Sequence, residues 1–322
     1  MKKILVTGAG GFIGYHLVKN LKHQGHYVVG ADIKEPLYDQ THADEFYLYD
    51  LRDPRRVEEL ISGKEFDEIY QLAADMGGTG YIAISDHDSA IMHNSAMINL
   101  NMIHAAAQHL VPKILYTSSA CVYPERNQTD PDNPLCSESS AYPAEPDTEY
   151  GWEKLFSERL YLTYAKNYGI DAKVVRLHNV FGPQGSWNDG KEKAPAALCR
   201  KVAESNGSVD IWGPGNQTRS FLYIDECVEG LNRIMHSNID FPINLGSERM
   251  ISINDLARLI AQIAGKNTIE INNVQGPVGV MGRSSHNELL EKSLGWRPSE
   301  DLEYGLLKTY PWIKEQVDAS IQ

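Results

Sequence analysis

Three glycines at the spacing GxxGxxG, directly behind an apolar triplet and directly before a helical pattern, constrain this chain more than any other feature. Ile4-Leu5-Val6 reads as a strand and Gly8-Ala9-Gly10-Gly11-Phe12-Ile13-Gly14 as a tight loop. Residues 12–21 then read as a helix, with apolar Phe12, Ile13, Leu17, Val18 and Leu21. Gly8, Gly11 and Gly14 permit the sharp turn and a close backbone approach, and the helix start offers unpaired N–H groups and partial positive charge to a pyrophosphate. Position 13 is Ile, so the strict GxGxxG order is not met, but the physical requirement is the same. The second strand, Tyr27-Val28-Val29, leads to Asp32. A carboxylate there accepts hydrogen bonds from ribose hydroxyls and repels a 2′-phosphate. The loop, with Phe12 and Ile13 at the helix start, and Asp32 therefore predict an NAD site; nearby Lys34 is the one feature that would tolerate a phosphate. Asp50, behind the third strand, reads equally as an adenine contact or as a turn or helix-capping residue.

Strand-like runs recur at 46–49, 69–73, 114–117 and 174–177, with a helical pattern at 95–107. This alternation implies an α/β fold: a parallel sheet with helices on both faces. Beyond about residue 180 the chain turns Gly- and Pro-rich, and helical patterns appear at 194–205, 225–236 and 253–264. The expected division is a domain over residues 1–180 and a smaller C-terminal α/β domain over 181–322, packed over the carboxyl ends of the sheet, with the chain free to cross between them. Residues 127–146, polar and Pro-rich, read as a long surface loop beside the site.

Composition narrows the field. No run approaches the roughly 18–20 apolar residues of a membrane span. The opening Met1-Lys2-Lys3 precedes a glycine-broken stretch, so it reads as the start of a strand and not as a signal segment. Cys121, Cys136, Cys199 and Cys227 show neither CxxC spacing nor a His cluster, which argues for reduced thiols in the cytoplasm with no disulfide framework and no metal site. A net charge of −13 argues against a broad nucleic-acid surface but leaves room for a small anionic ligand held by a few cations.

Tyr150-Gly151-Trp152-Glu153-Lys154 places Tyr and Lys at i and i+4, on one helix face. A phenol has a reference pKa of about 10 and is a poor base at neutral pH. A nearby ammonium favours the phenolate, so the pair is suited to moving a hydroxyl proton during hydride transfer; Tyr150 and Lys154 are also expected cofactor contacts, with the lysine able to hold the cofactor ribose. Thr117-Ser118-Ser119-Ala120, at the end of the fifth strand, supplies a third member: Ser119 is the expected hydroxyl and Ser118 the alternative.

Taken together, the glycine loop, Asp32, Leu72-Ala73-Ala74, Ser118-Ser119-Ala120 and YxxxK resemble the extended short-chain dehydrogenases that modify sugar nucleotides. The resemblance implies a Rossmann-type doubly wound sheet that binds NAD, with Ala73 among its contacts, and a C-terminal domain that binds the sugar nucleotide. Further stretches extend it over nearly the whole chain: Ala74-Asp75-Met76-Gly77-Gly78, Cys121-Val122-Tyr123-Pro124-Glu125, Lys191-Glu192-Lys193-Ala194-Pro195 and Gln217-Thr218-Arg219-Ser220-Phe221. They resemble members that epimerise the sugar, with GDP-mannose or a similar nucleotide sugar as the implied substrate. By the same resemblance Tyr150 deprotonates the C4 hydroxyl with Lys154 and Ser119 beside it, hydride passes from C4 to NAD, and the ketone acidifies C3 and C5. Cys121 and Lys193 stand at the acid/base positions. Gly78, Ser119, Asn179, Lys193, Gln217, Arg219 and Arg283 are the implied substrate contacts, and a homodimer is implied. An Ala120-Cys121 pair counts against a 4,6-dehydratase, which needs an acid there. A 4-epimerase needs only the oxidoreduction and is the enzymatic alternative. A non-catalytic NAD sensor is the alternative outside enzymes, and the retention of both Tyr150 and Lys154 weighs against it.

Overall fold

Strands buried on both faces read as near-continuous apolar runs, and this chain's central strands do so. The structure is a computed structural model that describes residues 1–83, 85–266, 268–299 and 301–320. Its centre is a sheet built from β1 (Lys3–Thr7), β2 (Tyr27–Asp32), β3 (Glu45–Leu48), β4 (Glu68–Gln71), β5 (Lys113–Ser119) and β6 (Asp171–Leu177). Two-residue β7 (Val180–Phe181) follows, then β8 (Ser208–Trp212), β9 (Thr218–Ser220), β10 (Leu222–Tyr223) and β11 (Ile243–Leu245). The last of these returns to the central sheet, whose seven strands run β11-β6-β5-β4-β1-β2-β3 with all pairs parallel. The order reverses between β1 and β4, and in open α/β sheets a ligand crevice lies outside the carboxyl ends of the strands at such a point.

Alternate residues of each strand enter different cores. Ile4, Val6, Val28, Leu115 and Val175 pack on one face, and Leu5, Val29, Ile69, Ile114 and Val174 on the other. Helix α1 (Phe12–His23) covers the first face, while α2 (Pro54–Ile61), α4 (Asp88–Gln108) and α5 (Glu149–Tyr168) cover the second; α3 (Thr79–Ile82) is a single turn after β4. The first core continues without a break into α6 (Ala194–Glu204), α7 (Ile224–Met235) and α8 (Ile253–Ile263). It also takes in α9 (Glu288–Leu294) and α10 (Leu302–Ser320). Three small sheets complete this region among the described residues: β7 with β10, β8 with β13 (Glu270–Val274), and β9 between β12 (Met250–Ser252) and β14 (Gly282–Arg283).

Three features depart from the reading of the sequence. The helix expected at 95–107 starts seven residues earlier, at Asp88. The β11 strand was not anticipated: it is three residues long, and its central Asn244 is polar. That side chain is buried and takes hydrogen bonds from Tyr123 Oη at 2.6 Å and His178 Nε2 at 2.9 Å, so tertiary partners satisfy a residue that disfavours strands in isolation. Finally, the 127–146 segment is not wholly a surface loop, since Gln128, Cys136 and Ala141 are buried in it.

Candidate active site

The glycine loop is shaped by what surrounds it. Gly8 sits at φ +70°, and a β-carbon there would meet Leu72 and Ala73 backbone at 2.9 Å; one on Gly14 would lie 2.1 Å from the Gly8 carbonyl oxygen. Gly10, which the motif spacing does not single out, would meet the Lys34 carbonyl oxygen at 2.0 Å. Gly11 is different. A β-carbon there meets only the Gly8 carbonyl, at 3.2 Å, and no side chain caps the α1 terminus that Gly11 opens. The first turn of α1, at Phe12 and Ile13, is therefore without a side-chain competitor for an anion. Asp32 ends β2, half-buried, and its carboxylate accepts the Gly10 N–H at 3.0 Å. Burial pushes its carboxyl up from the ordinary value, against backbone N–H donors from Lys34, Gly10 and Ile33. A loop that admits close backbone approach, an uncapped helix start and a carboxylate at the end of β2 fit the pyrophosphate and ribose of NAD. Asp50 is engaged differently: Arg52 grips it through Nε at 2.9 Å and Nη2 at 2.6 Å, and Asp53, not Asp50, caps α2.

At the end of β5 the two adjacent serines part company, because successive strand residues face opposite ways. Ser118 is buried and donates to Glu158 at 2.6 Å; Glu158 also pairs bidentately with Arg176 at 2.8 and 2.7 Å. Ser119 instead lines a cavity at the carboxyl end of the sheet, where its Oγ accepts the Cys121 N–H at 3.2 Å. Thr148 caps α5 by accepting the Gly151 N–H, which sets Tyr150 in the first turn and Lys154 in the next. Gly151 is indispensable to this arrangement: a β-carbon there would lie 2.2 Å from the Cys121 carbonyl oxygen. The bare helix face is what lets Tyr150 and Cys121 share one wall, and sequence spacing alone did not mark it.

Tyr150 and Lys154 are both buried. Lys154 Nζ donates to the Thr117 carbonyl at 3.0 Å and lies 5.7 Å from the Tyr150 ring centroid. Burial pushes the Tyr150 phenol well above its usual value, Cys121 adds to this, and the Ser119 hydroxyl works the other way. The lowering expected from Lys154 does not prevail, because the cost of taking a phenolate out of water dominates here. Burial lowers Lys154 itself, partly offset by Glu153.

The cavity has a volume of about 370 Å³, within the range that holds small organic ligands. It gathers Ser119, Cys121, Tyr150, Asn179, Lys193 and Gln217 onto one surface, with Gly78, Arg219 and Arg283 beside them. Lys193 occupies the N-cap position of α6 without capping it, and its amine makes no hydrogen bond or ion pair among the described residues. Burial lowers its amine, and the Cys121 sulfur is the group that most favours its charged form. Arg283 Nη1 donates to Cys121 Sγ at 3.1 Å, and Nη2 reaches Asp147 at 3.4 Å. Among the described residues the Arg219 guanidinium hydrogen-bonds only carbonyl oxygens, of Thr218 and Val278, and it is driven down to about 10 by burial and by Arg283. Gln217 Nε2 is spent on the Trp212 carbonyl, while its buried Oε1 has no partner among the described residues. Asn179 donates to the Ser220 carbonyl at 3.0 Å, and Gly78 packs against the Glu192 carbonyl, where a β-carbon would clash at 2.3 Å. Lys201, Trp212 and Asp147 also line this cavity. Sequence reading missed them, since nothing in their local pattern distinguishes them from surface residues.

A crevice at the switch point of a parallel sheet, and a Ser-Tyr-Lys set beside it, define a class of nucleotide-dependent oxidoreducing enzymes. The model of the NAD dependent epimerase/dehydratase family matches residues 4–246. The chain belongs to this family and is an NAD-dependent enzyme of the sugar-nucleotide epimerase class. It is 46% identical over 318 residues to the GDP-mannose 3,5-epimerase of Arabidopsis thaliana, covering 98% of this chain and 83% of that protein. Among solved structures, the UDP-glucuronic acid 4-epimerase of Bacillus cereus, in complex with UDP-glucuronic acid and NAD, superposes with a TM-score of 0.83 at 26% identity, covering 98% and 99% of the two chains. The UDP-glucose 4-epimerase of Thermotoga maritima shares the fold, with a TM-score of 0.86 at 24% identity over 98% and 99%. No helix among the described residues is long and apolar enough to cross a membrane.

Proposed function

We propose that the chain epimerises GDP-mannose at C3 and C5. One observation carries the reading: a thiol and a burial-lowered amine, Cys121 and Lys193, line the same cavity as the Tyr150–Ser119 pair. A 4-epimerase has no work for two further acid/base groups. Residues 1–180 hold the cofactor in this reading, and residues 181–322 complete the crevice for the sugar nucleotide. Gly8, Gly11, Phe12, Ile13, Gly14, Asp32 and Ala73 hold NAD; Asp50 contributes through its Arg52-braced loop. Bound NAD supplies a hydride acceptor at C4 and returns the hydride at the end.

Tyr150, as its phenolate, takes the C4 hydroxyl proton, with Ser119 orienting the hydroxyl and Lys154 countering the phenolate charge before transfer. Loss of hydride leaves a C4 ketone, which acidifies the C–H bonds at C3 and C5. Of Cys121 and Lys193, one removes a proton from a face of the sugar and the other delivers one to the opposite face. The Arg283 guanidinium stands where negative charge develops on the Cys121 sulfur. A half-buried Arg219 whose guanidinium, among the described residues, is held by carbonyls suits a diphosphate, whose charge would complete its pairing. The partnerless Gln217 Oε1 is an acceptor available to the nucleotide. Incubating the protein with NAD and GDP-mannose in deuterated water should place deuterium at C3 and C5, read by NMR. Exchange at neither carbon, with inversion at C4 of a nucleotide sugar, would sink the reading in favour of a 4-epimerase.

Four buried, unpaired cysteines suit a cytoplasmic setting, which belongs to the same proposal. So does a homodimer. Helices α4 and α5 pack side by side and leave Leu100, Trp152 and Phe156 substantially exposed, with Trp152 and Phe156 one turn apart. Exposed apolar side chains at helical spacing on neighbouring helices favour a second copy of the same surface. Sedimentation at micromolar concentration should give twice 36.0 kDa, and Phe156→Asp should give the monomer. A monomeric wild type would remove this part of the proposal.

A further inference from the structure

Lys154 is buried and needs its charge, yet its direct partner is a neutral carbonyl oxygen, that of Thr117. The groups facing it come from three elements. On β5, the Tyr116 ring lies 5.0 Å from Nζ, and burial keeps that phenol protonated by pushing it well above its usual value. On the turn after β5, Cys121 is occupied by Arg283. On α5 stand Tyr150, Glu158 and Glu153. Glu158 is already neutralised by its bidentate pairing with Arg176. Glu153 is not. It is 1% exposed, and its Oε1 accepts only from neutral donors, Asn99 Nδ2 at 3.0 Å and Ser157 Oγ at 2.6 Å. Its Oε2 is buried without any partner among the described residues. Tyr161, the other titratable group on this face, is held protonated by burial.

A buried carboxylate without a cation and a buried ammonium without an anion thus occupy successive positions of one helix. Uncompensated buried charge is costly, and each offers the other relief. We propose that Glu153 is the counter-charge of Lys154: a positioning residue that keeps the lysine ammonium charged, and through it sets the alkaline limit of proton transfer at Tyr150. The proposal rests on reading Tyr150 and Lys154 as the redox pair. Nothing in the preceding reaction scheme required Glu153. Its neighbour Lys154 is adjusted by burial downward and by Glu153 upward, in the sense the proposal needs.

The test uses full-length protein labelled with ε-¹³C lysine, with and without NAD, and assigns the Lys154 signal by Lys154→Arg. Glu153→Gln keeps the shape and the acceptor for Asn99 and Ser157 but removes the charge. The ammonium then loses its anion and gives up its proton at lower pH, so the titration midpoint should fall by about one to two pH units. Glu153→Asp keeps the charge and should hold the midpoint within about half a unit of wild type. The alkaline limb of NADH formation from the nucleotide sugar should move down with the midpoint in Glu153→Gln. A midpoint that moves by less than about 0.3 units, or by the same amount in both variants, overturns the proposal. So does a rate that falls by one factor at every pH, which would make Glu153 a packing residue. The NMR readout needs no substrate, so a wild type that forms no NADH from GDP-mannose would count against the proposed reaction and leave the Glu153 result standing.

Discussion

In Cys121→Ala, solvent deuterium should no longer enter C3 or C5 of the sugar, while NADH still forms when substrate is added. Removing a positioned acid/base group costs about 10²–10⁴ in rate, which takes exchange below detection on the timescale of the wild-type reaction. The redox step survives because its groups do not depend on the sulfur: Ser119 and Tyr150 approach from β5 and α5, and Lys154 is anchored on Thr117. The substitution even removes one of the influences that raise the Tyr150 phenol. Stopped-flow absorbance of NADH and NMR of recovered sugar nucleotide separate the two steps. Loss of both would assign Cys121 a structural role, since its backbone N–H is held by Ser119 Oγ and its carbonyl abuts Gly151.

Tyr150→Phe should have the larger reach, with NADH formation and C3/C5 exchange failing together. The ketone has to form before the neighbouring C–H bonds become acidic, so loss of the C4 proton acceptor silences every later step, again by about 10²–10⁴ or more. Affinity for NAD, measured by calorimetry, should fall only modestly, because in the proposed reading the cofactor rests chiefly on the Gly8–Gly14 loop and Asp32. The pH dependence has a definite sign. Burial raises the phenol, so its base form is scarce at neutral pH, and wild-type NADH formation should climb as pH rises above neutrality until Lys154 gives up its proton. A Tyr150→Phe protein that exchanges at C3 and C5 at the wild-type rate would refute the order of steps.

The opening of the chain is where sequence said most. Period-two burial of Ile4, Leu5 and Val6 in opposite cores, the left-handed Gly8 and the acid at the end of β2 follow from local rules: which residues a two-faced strand accepts, and where only glycine fits. The same holds for Tyr150 and Lys154, whose shared helix face is fixed by the pitch of a helix. Other features were decided by contacts between residues far apart in the chain. Ser118 and Ser119 are equivalent as sequence; only the Glu158–Arg176 pair on one side of β5 and the cavity on the other tell them apart. Asn244 looks like a strand breaker until Tyr123 and His178 are brought to it. Arg283 was expected among the substrate contacts, and its bonds to Cys121 and Asp147 are set by the fold alone. Lys154 was expected to draw the phenol of Tyr150 down, and burial drives it up. Backbone preference and side-chain periodicity act over a few residues and can be read along a string. Desolvation and long-range pairing depend on which surfaces close over a group, and only the assembled chain determines that.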